Sequence, residues 1–334
     1  MDDVNRVLIT SSGRRSYLVE YFKEALGSSG NVFAADCDPL APVFGDCDHG
    51  FVVPPFDEDN YISSIRNICM DKNIDLVVPT NDQELRVFAE NTDVFNENGT
   101  RILISEPRCI DVANDKLSTY EFLTSNGILT PFTTSNLDAI KRKINTNEIV
   151  LPVIVKPRFG SGSEDVYEAS SMDELEVFWK RIDRPIAQEK LQGQEYGVDV
   201  FNNQDREPIS IVPRKKIAMR AGETDKAVSV DESELIEIGK TVGEKLGHLG
   251  PLDIDCFYDG DNAYVMELNA RFGGGYPLTH LAGGDFVTAA VSIGSGEKVD
   301  SRIGDFDSGI HMVKTYRIYS PELDRGLITN AKQI

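Results

Sequence analysis

The stretch "LDIDCFYDGDNAYVMELN", residues 252–269, contains two strand-like runs joined by Gly260, Asp261 and Asn262. A three-residue turn there sets Asp259 opposite Ala263, Asp255 opposite Glu267 and Asp253 opposite Asn269. Side chains alternate along a strand, so Asp253, Asp255, Glu267 and Asn269 share one face. Like charges opposed across a hairpin repel, and a buried carboxylate needs a partner. A divalent cation between them reverses that penalty. A ligand set made only of oxygen suits Mg²⁺ or Mn²⁺ and disfavours zinc. A solvated acidic face is the alternative reading, but the apolar runs "IDCFY" and "YVMEL" argue for burial.

Just downstream, "ARFGGGYP" places Arg271 two residues beyond Asn269 and ahead of Gly273-Gly274-Gly275. A guanidinium there can bind a carboxylate or phosphoryl group bidentately, and the glycines are expected to let that ligand approach. Upstream, "LPVIVKPRFGSGSEDVYEA", residues 151–169, ends a strand-like run on Lys156 before the loop Gly160-Ser161-Gly162-Ser163. Its glycines allow backbone N–H groups to turn toward an anion. No Gly-Lys-Ser/Thr follows, so this is not a Walker A loop. Taken alone, a hairpin tip beside a structural lysine explains it equally well. "QEKLQGQEYGVDV", residues 188–200, offers Glu189 and Glu195 around Gly193. Either could meet an adenine amino group or ribose hydroxyls, and ordinary solvated glutamates would look the same.

The segment from 6 to 105 alternates short β-rich runs ("RVLIT", "NVFAADCD", "IDLVVPT", "RILIS") with amphipathic stretches. That pattern predicts a parallel sheet covered by helices, a Rossmann-like unit. Its first turn, "TSSGRRS", lacks Gly-x-Gly-x-x-Gly, so a dinucleotide-dependent enzyme is weakly supported. Arg14 and Arg15 sit in that turn, where open α/β sheets place ligands, and Arg14 is the candidate for a substrate carboxylate. Thr80, Asn81, Asp82 and Glu84 follow the strand "IDLVVPT" and are expected to line the same crevice. From residue 111 the character changes. "NDKLSTYEFLTSNGI" reads as a helix, "SMDELEVFWKRI" as a Ser-capped helix, and "PRKKIAMRAGETDK" as a basic stretch.

With 334 residues the chain is long enough for two or three domains. Fifty-five acidic against 34 basic side chains give a net charge of −21, which repels nucleic acid and anionic membranes. No apolar run approaches the ~20 residues that span a bilayer. Five scattered cysteines, an odd number, point to reduced thiols in a cytoplasm. Four dispersed histidines leave catalysis to carboxylates, lysines, arginines and backbone.

Taken in order, "VIVKPRFGSGS", "QEKLQGQEYGVDV", "RAGETDK", "GPLDIDCF" and "VMELNARFGGGYP" resemble the ATP-grasp superfamily. They look most like single-chain relatives of the carbamoyl-phosphate synthase large subunit. The resemblance implies a Rossmann-like domain over 1–110, a small lid subdomain over 111–190, and a C-terminal subdomain with the metal site over 191–334. It implies that Lys116 and Lys156 bind nucleotide phosphates and that Gly160 to Ser163 close over ATP. Glu189 and the backbone of Leu191 then meet adenine, and Glu195 meets ribose. Asp255, Glu267 and Asn269 become the metal ligands, with Asp253 a rival for Asp255. Arg271 steadies an acyl phosphate, while Arg220 and Lys226 supply late phosphate contacts.

The implied activity is a ligase that uses ATP and Mg²⁺ (or Mn²⁺) to join a small carboxylate to an amine, in a cytoplasmic homodimer. A bicarbonate-activating enzyme like carbamoyl-phosphate synthase and a non-catalytic ATP sensor are the alternatives.

Overall fold

The computed structural model describes residues 3–160, 162, 164–318 and 328–330. Ser161 and Ser163 of the glycine-serine loop lie outside the described residues.

The β-rich runs of the first hundred residues form β1 (Arg6–Thr10), β2 (Asn31–Asp36), β3 (His49–Val52), β4 (Leu76–Pro79) and β5 (Arg101–Ile102). They pair in parallel in the order β3-β2-β1-β4-β5, as a strand–helix alternation requires. The order reverses between β1 and β4, so their C-terminal ends open a crevice at the switch point. The expected single helix after β4 is two, Asp82–Glu90 and Thr92–Asn96, broken at Asn91. Asn91 caps the first helix through its backbone N–H to Phe88.

A second, four-stranded sheet contains β6 (Thr133–Thr134), β7 (Val153–Pro157), β8 (Tyr167–Ala169) and β9 (Pro185–Glu189), ordered β6-β9-β7-β8. Helices Leu137–Asn145 and Met172–Arg181 bury Ile140 and Leu175 against it. Ser171 caps the second, accepting the Glu174 N–H at 3.2 Å.

The third sheet is antiparallel. It consists of β10 (Gln194–Asn202), β11 (Pro208–Arg220), β12 (Glu223–Ser229), β13 (Gly250–Tyr258), β14 (Ala263–Asn269) and β15 (His311–Val313), ordered β14-β13-β10-β11-β12-β15. The basic stretch "PRKKIAMRAGETDK" therefore falls on the end of β11, a tight turn and the start of β12. A last strand, β16 (Ile328–Asn330), returns to pair with β3, and the helix Phe286–Ser295 packs into the same core as β1 and β2. Part of the stretch grouped with the metal-site subdomain thus completes the N-terminal unit. Among the described residues no helix is long and apolar enough to cross a membrane.

Two contacts fix the walls of the crevice. Glu84 is fully buried at the ends of β1 and β4. It accepts hydrogen bonds from Thr10 Oγ1, Ser11 Oγ, Tyr61 Oη and the Thr80 and Asn81 N–H groups, at 2.6–3.2 Å. Burial raises its pKa despite these donors. Asp36, at the end of β2, accepts the Gly13 N–H at 3.0 Å and so holds the β1 turn.

Glu84→Leu removes an acceptor shared by five donors, two of them backbone. The expected loss is on the order of 3 kcal/mol in urea unfolding. An unchanged midpoint would show that this carboxylate does not join the two strand ends.

Candidate active site

One crevice of about 1020 Å³ runs between the three sheets. Lys116, Lys156, Gly160, Gly162, Glu189, Leu191, Glu195, Asp255, Glu267, Asn269, Arg271 and Arg14 all line it. Side chains 250 residues apart in sequence are thereby brought to one surface.

The hairpin that carries the carboxylates has the expected register at one end only. Asp253 faces Asn269 and Asp255 faces Glu267. A bulge at Met266 then shifts the pairing, so Tyr258 rather than Asp259 faces Ala263. Asp259 instead closes a four-residue loop, accepting the Asp261 and Asn262 N–H groups at 2.9 and 2.8 Å. The extra residue restores the loop without disturbing the acidic end.

Each acidic group has a cation beside it. Lys216 Nζ lies 2.5 Å from Asp255, and Lys116 Nζ lies 3.4 Å from Glu267. Asp253 is held differently. The fully buried Arg214 hydrogen-bonds its Oδ1 and pairs with Asp199 at 2.7 Å, while Arg271 lies 3.7 Å from its Oδ2. Burial pushes the Asp253 carboxyl up, but Arg214, Arg271 and Lys216 outweigh that and hold it below the usual range. Asp255 goes the other way. Burial raises it, Lys216 only partly compensates, and Asp253 and Glu267 raise it further. Asp253 is thus committed to the framework, whereas Asp255 has one lysine at 2.5 Å and two further carboxylates near it.

Asp255, Glu267 and the Asn269 amide form an oxygen-only set on one face of the hairpin. Among the described residues no three His, Cys, Asp or Glu side chains gather into a self-sufficient metal cage. This donor set fits Mg²⁺, which binds through one or two carboxylates and takes its remaining ligands from water and substrate phosphates.

Arg158 was not singled out by the sequence reading, yet it positions Lys116. Its guanidinium clamps Asp115 at 2.7 and 2.5 Å, and its carbonyl accepts the Lys116 N–H at 3.2 Å. Asp115 caps the helix Lys116–Ser125 through the Leu117 N–H at 3.1 Å. Lys116 therefore leaves the first turn of that helix toward the loop, donating to the Gly160 carbonyl at 2.5 Å. Lys156 projects from β7, only 8% exposed, and burial lowers its pKa to about 8 against the pull of Glu267. Along the other rim, the Glu189 N–H bonds the Phe132 carbonyl at 2.9 Å, which fixes the backbone that leads to Leu191.

Arg271 reaches the N-terminal unit, with Nε and Nη2 at 3.1 and 2.8 Å from Asp82 Oδ2, and its Nη2 is 3.2 Å from Asn269 Oδ1. It therefore ties the acidic hairpin to the loop after β4.

The glycine triplet has a packing role besides the one expected. A Cβ on Gly273 would lie 2.4 Å from Asp253 Oδ2, and one on Gly275 would lie 2.1 Å from Arg214 Nε. Gly273 and Gly275 make room for the buried ion network, and Gly274 and Gly275 also line the crevice. Arg220 and Lys226 are not brought to the crevice lining. Arg220 bonds Asp225 at 2.9 Å and covers the Tyr316 ring, and Lys226 sits within β12. Arg14 lines the crevice, exposed. His280 stacks on Tyr21 at 3.7 Å and His311 is exposed, so neither lines the crevice.

Comparison with known proteins agrees with this architecture. Residues 7–103 match the PylC-like N-terminal domain family, and residues 113–275 match the ATP-grasp domain family. The chain therefore carries an ATP-grasp domain behind a PylC-like N-terminal domain. It is 22% identical over 247 residues to a carbamoyl-phosphate synthase of Methanobrevibacter smithii, covering 70% of this chain and 65% of that one. It is 26% identical over 176 residues to a D-alanine–D-alanine ligase of Francisella philomiragia, covering 48% of this chain and 58% of that one. The chain thus spans less than two thirds of the length of either relative. The biotin carboxylase domain of Hydrogenobacter thermophilus 2-oxoglutarate carboxylase, solved with MgADP, ADP and bicarbonate, shares the fold. Its TM-score is 0.73 at 16% identity, covering 93% of this chain and 74% of that one.

Gly275→Ala should lower the thermal midpoint by several degrees, since overpacking against a buried arginine costs roughly 1–3 kcal/mol. A wild-type midpoint in that variant would contradict the packing role given to this glycine.

Proposed function

We propose that the protein is an ATP-dependent ligase that activates a small carboxylate as an acyl phosphate and joins it to an amine. The observation that supports this most strongly is the crevice itself. A glycine loop with Lys116 and Lys156 faces an acidic hairpin across a space large enough for a nucleotide and a small acid.

In this reading ATP lies with its adenine along Glu189 and Leu191 and its ribose toward Glu195. Lys116, Lys156 and the backbone of the Gly160–Ser163 loop hold the phosphates. Asp255, Glu267 and Asn269 hold Mg²⁺ or Mn²⁺, with Asp253 excluded by its bonds to Arg214 and Arg271. The bound ion neutralises phosphate charge and so lets two anions meet.

A substrate carboxylate oxygen attacks the γ-phosphorus, and the bond to the bridging oxygen breaks as ADP leaves with the electron pair. The amine nitrogen then attacks the acyl carbon. The C–N bond forms, the C–O bond to phosphate breaks, and the amine gives up a proton. This chain's residues position and neutralise; no covalent nucleophile is required. Arg271, beside Asn269, stands where charge builds on the acyl phosphate. Arg14 holds a carboxylate from the substrate side. The five free cysteines accord with a reducing, cytoplasmic setting, and a homodimer belongs to the same reading.

Glu267→Gln should reduce phosphate release, assayed with ATP, Mg²⁺ and pools of acids and amines, by about a hundredfold or more. Its melting temperature should stay close to wild type, because among the described residues Glu267 makes one ion pair, with Lys116 at 3.4 Å, and loss of its charge relieves repulsion with Asp255. Full activity in that variant is incompatible with the metal assignment.

A lysine with a pKa near 8 loses its charge as pH rises past that value. Metal-free ADP binding should therefore weaken between pH 7 and 9, and Lys156→Arg should flatten the profile, since arginine stays protonated. Parallel profiles in the two proteins would remove Lys156 from the phosphate site.

A further inference from the structure

Away from the phosphate end, the crevice passes between the β1 turn and the turn joining β11 to β12. There, Arg14, Arg15 and Glu223 line the wall, and Lys314, which is not itself a lining residue, pairs with Glu223. Glu223 Oε2 lies 2.9 Å from Lys314 Nζ, and its Oε1 lies 3.5 Å from Arg15 Nε. Arg14 acts on the same carboxylate through space and makes no ion pair of its own among the described residues. Among the described residues, Arg14, Arg15 and Lys314 gather around the single carboxylate of Glu223, in a chain whose net charge is −21. Such a local excess points to an anionic ligand.

The surrounding chain holds this patch in place. Arg15 also donates to the Thr80 carbonyl, which Glu84 fixes. The Lys314 N–H bonds the Asp225 carbonyl at 2.9 Å, anchoring the lysine beside β12. Gly274 packs against the Glu223 stem, where a Cβ would come within 3.0 Å. The neighbouring Gly222 touches the Gly162 backbone, where a Cβ would come within 2.9 Å. The patch therefore adjoins the glycine loop but uses none of the residues that serve the phosphates.

We propose that Arg14, Arg15 and Lys314 bind a carboxylate that the ligation leaves intact. One of the two joined substrates then carries a second acid group, as an amino acid or a dicarboxylic acid does. Glu223 is the resident stand-in and shows that a carboxylate fits among these cations. An arriving carboxylate shares or replaces it without leaving a buried cation unpaired. The inference rests on the ligase reading for its chemistry, but its test does not depend on turnover.

The test is calorimetric titration of the full chain with succinate, L-malate, L-aspartate, L-glutamate, glycine and L-alanine, with and without AMP-PNP and Mg²⁺. The monoamide or amide of each compound and inorganic phosphate are run beside them. At least one acid should bind, and its amide should bind at least tenfold more weakly. Arg14→Met and Lys314→Met should each weaken that acid about tenfold while the AMP-PNP Kd changes less than about twofold. Lys314→Arg should retain the affinity, which separates charge recognition from misfolding.

Equal binding of acid and amide, or wild-type affinity in both methionine variants, overturns the proposal. So does phosphate binding with no acid bound, or AMP-PNP binding with no acid bound. If an acid binds with the expected variant losses while AMP-PNP does not bind, the patch stands and the ligase reading falls.

Discussion

The structure depends on how four acidic and amide groups at one end of a hairpin are kept together. Asp253, Asp255, Glu267 and Asn269 share a face, and unscreened carboxylates at that spacing repel. Two solutions operate side by side. Asp253 is neutralised permanently by Arg214 and Arg271, in a network so tight that Gly273 and Gly275 must lack side chains. Asp255 and Glu267 are neutralised by Lys216, which is buried, and by Lys116, which is nearly so, both ammonium groups on long stems. The first arrangement is framework. The second is exchangeable, because a lysine can move away when a divalent cation takes its place.

The same contacts join the crevice into one unit. Arg271 links Asn269 to Asp82, and Glu84 locks the loop that carries Asp82 to the β1 turn. Arg158 and Asp115 place Lys116 opposite, between the glycine loop and Glu267. A ligand in the crevice therefore meets walls whose side chains are already oriented, which is what catalysis by positioning requires.

Much of this was legible in the sequence because it follows from periodicity. Alternation alone set Asp255 opposite Glu267, and strand–helix alternation gave the parallel sheet. The turn half of the hairpin was misread because a bulge at Met266 leaves no mark on the alternation. The packing role of the glycine triplet was not legible for a related reason. A glycine tells that something comes close, but not whether the close neighbour is ligand or protein. Arg214 and Lys216 were hidden in a stretch that looks like a basic loop, since strand partners 40 residues away decide what a buried cation meets. Arg158 was missed because its partner, Asp115, reads from sequence only as a helix cap.

The most direct test of the central claim is a crystal structure of the protein with AMP-PNP and Mg²⁺. The account predicts an ion bound to both Asp255 and Glu267, Lys116 and Lys216 drawn off those carboxylates, and Arg214 still on Asp253. Nucleotide bound with both lysine pairs intact and no ion on the hairpin would contradict it.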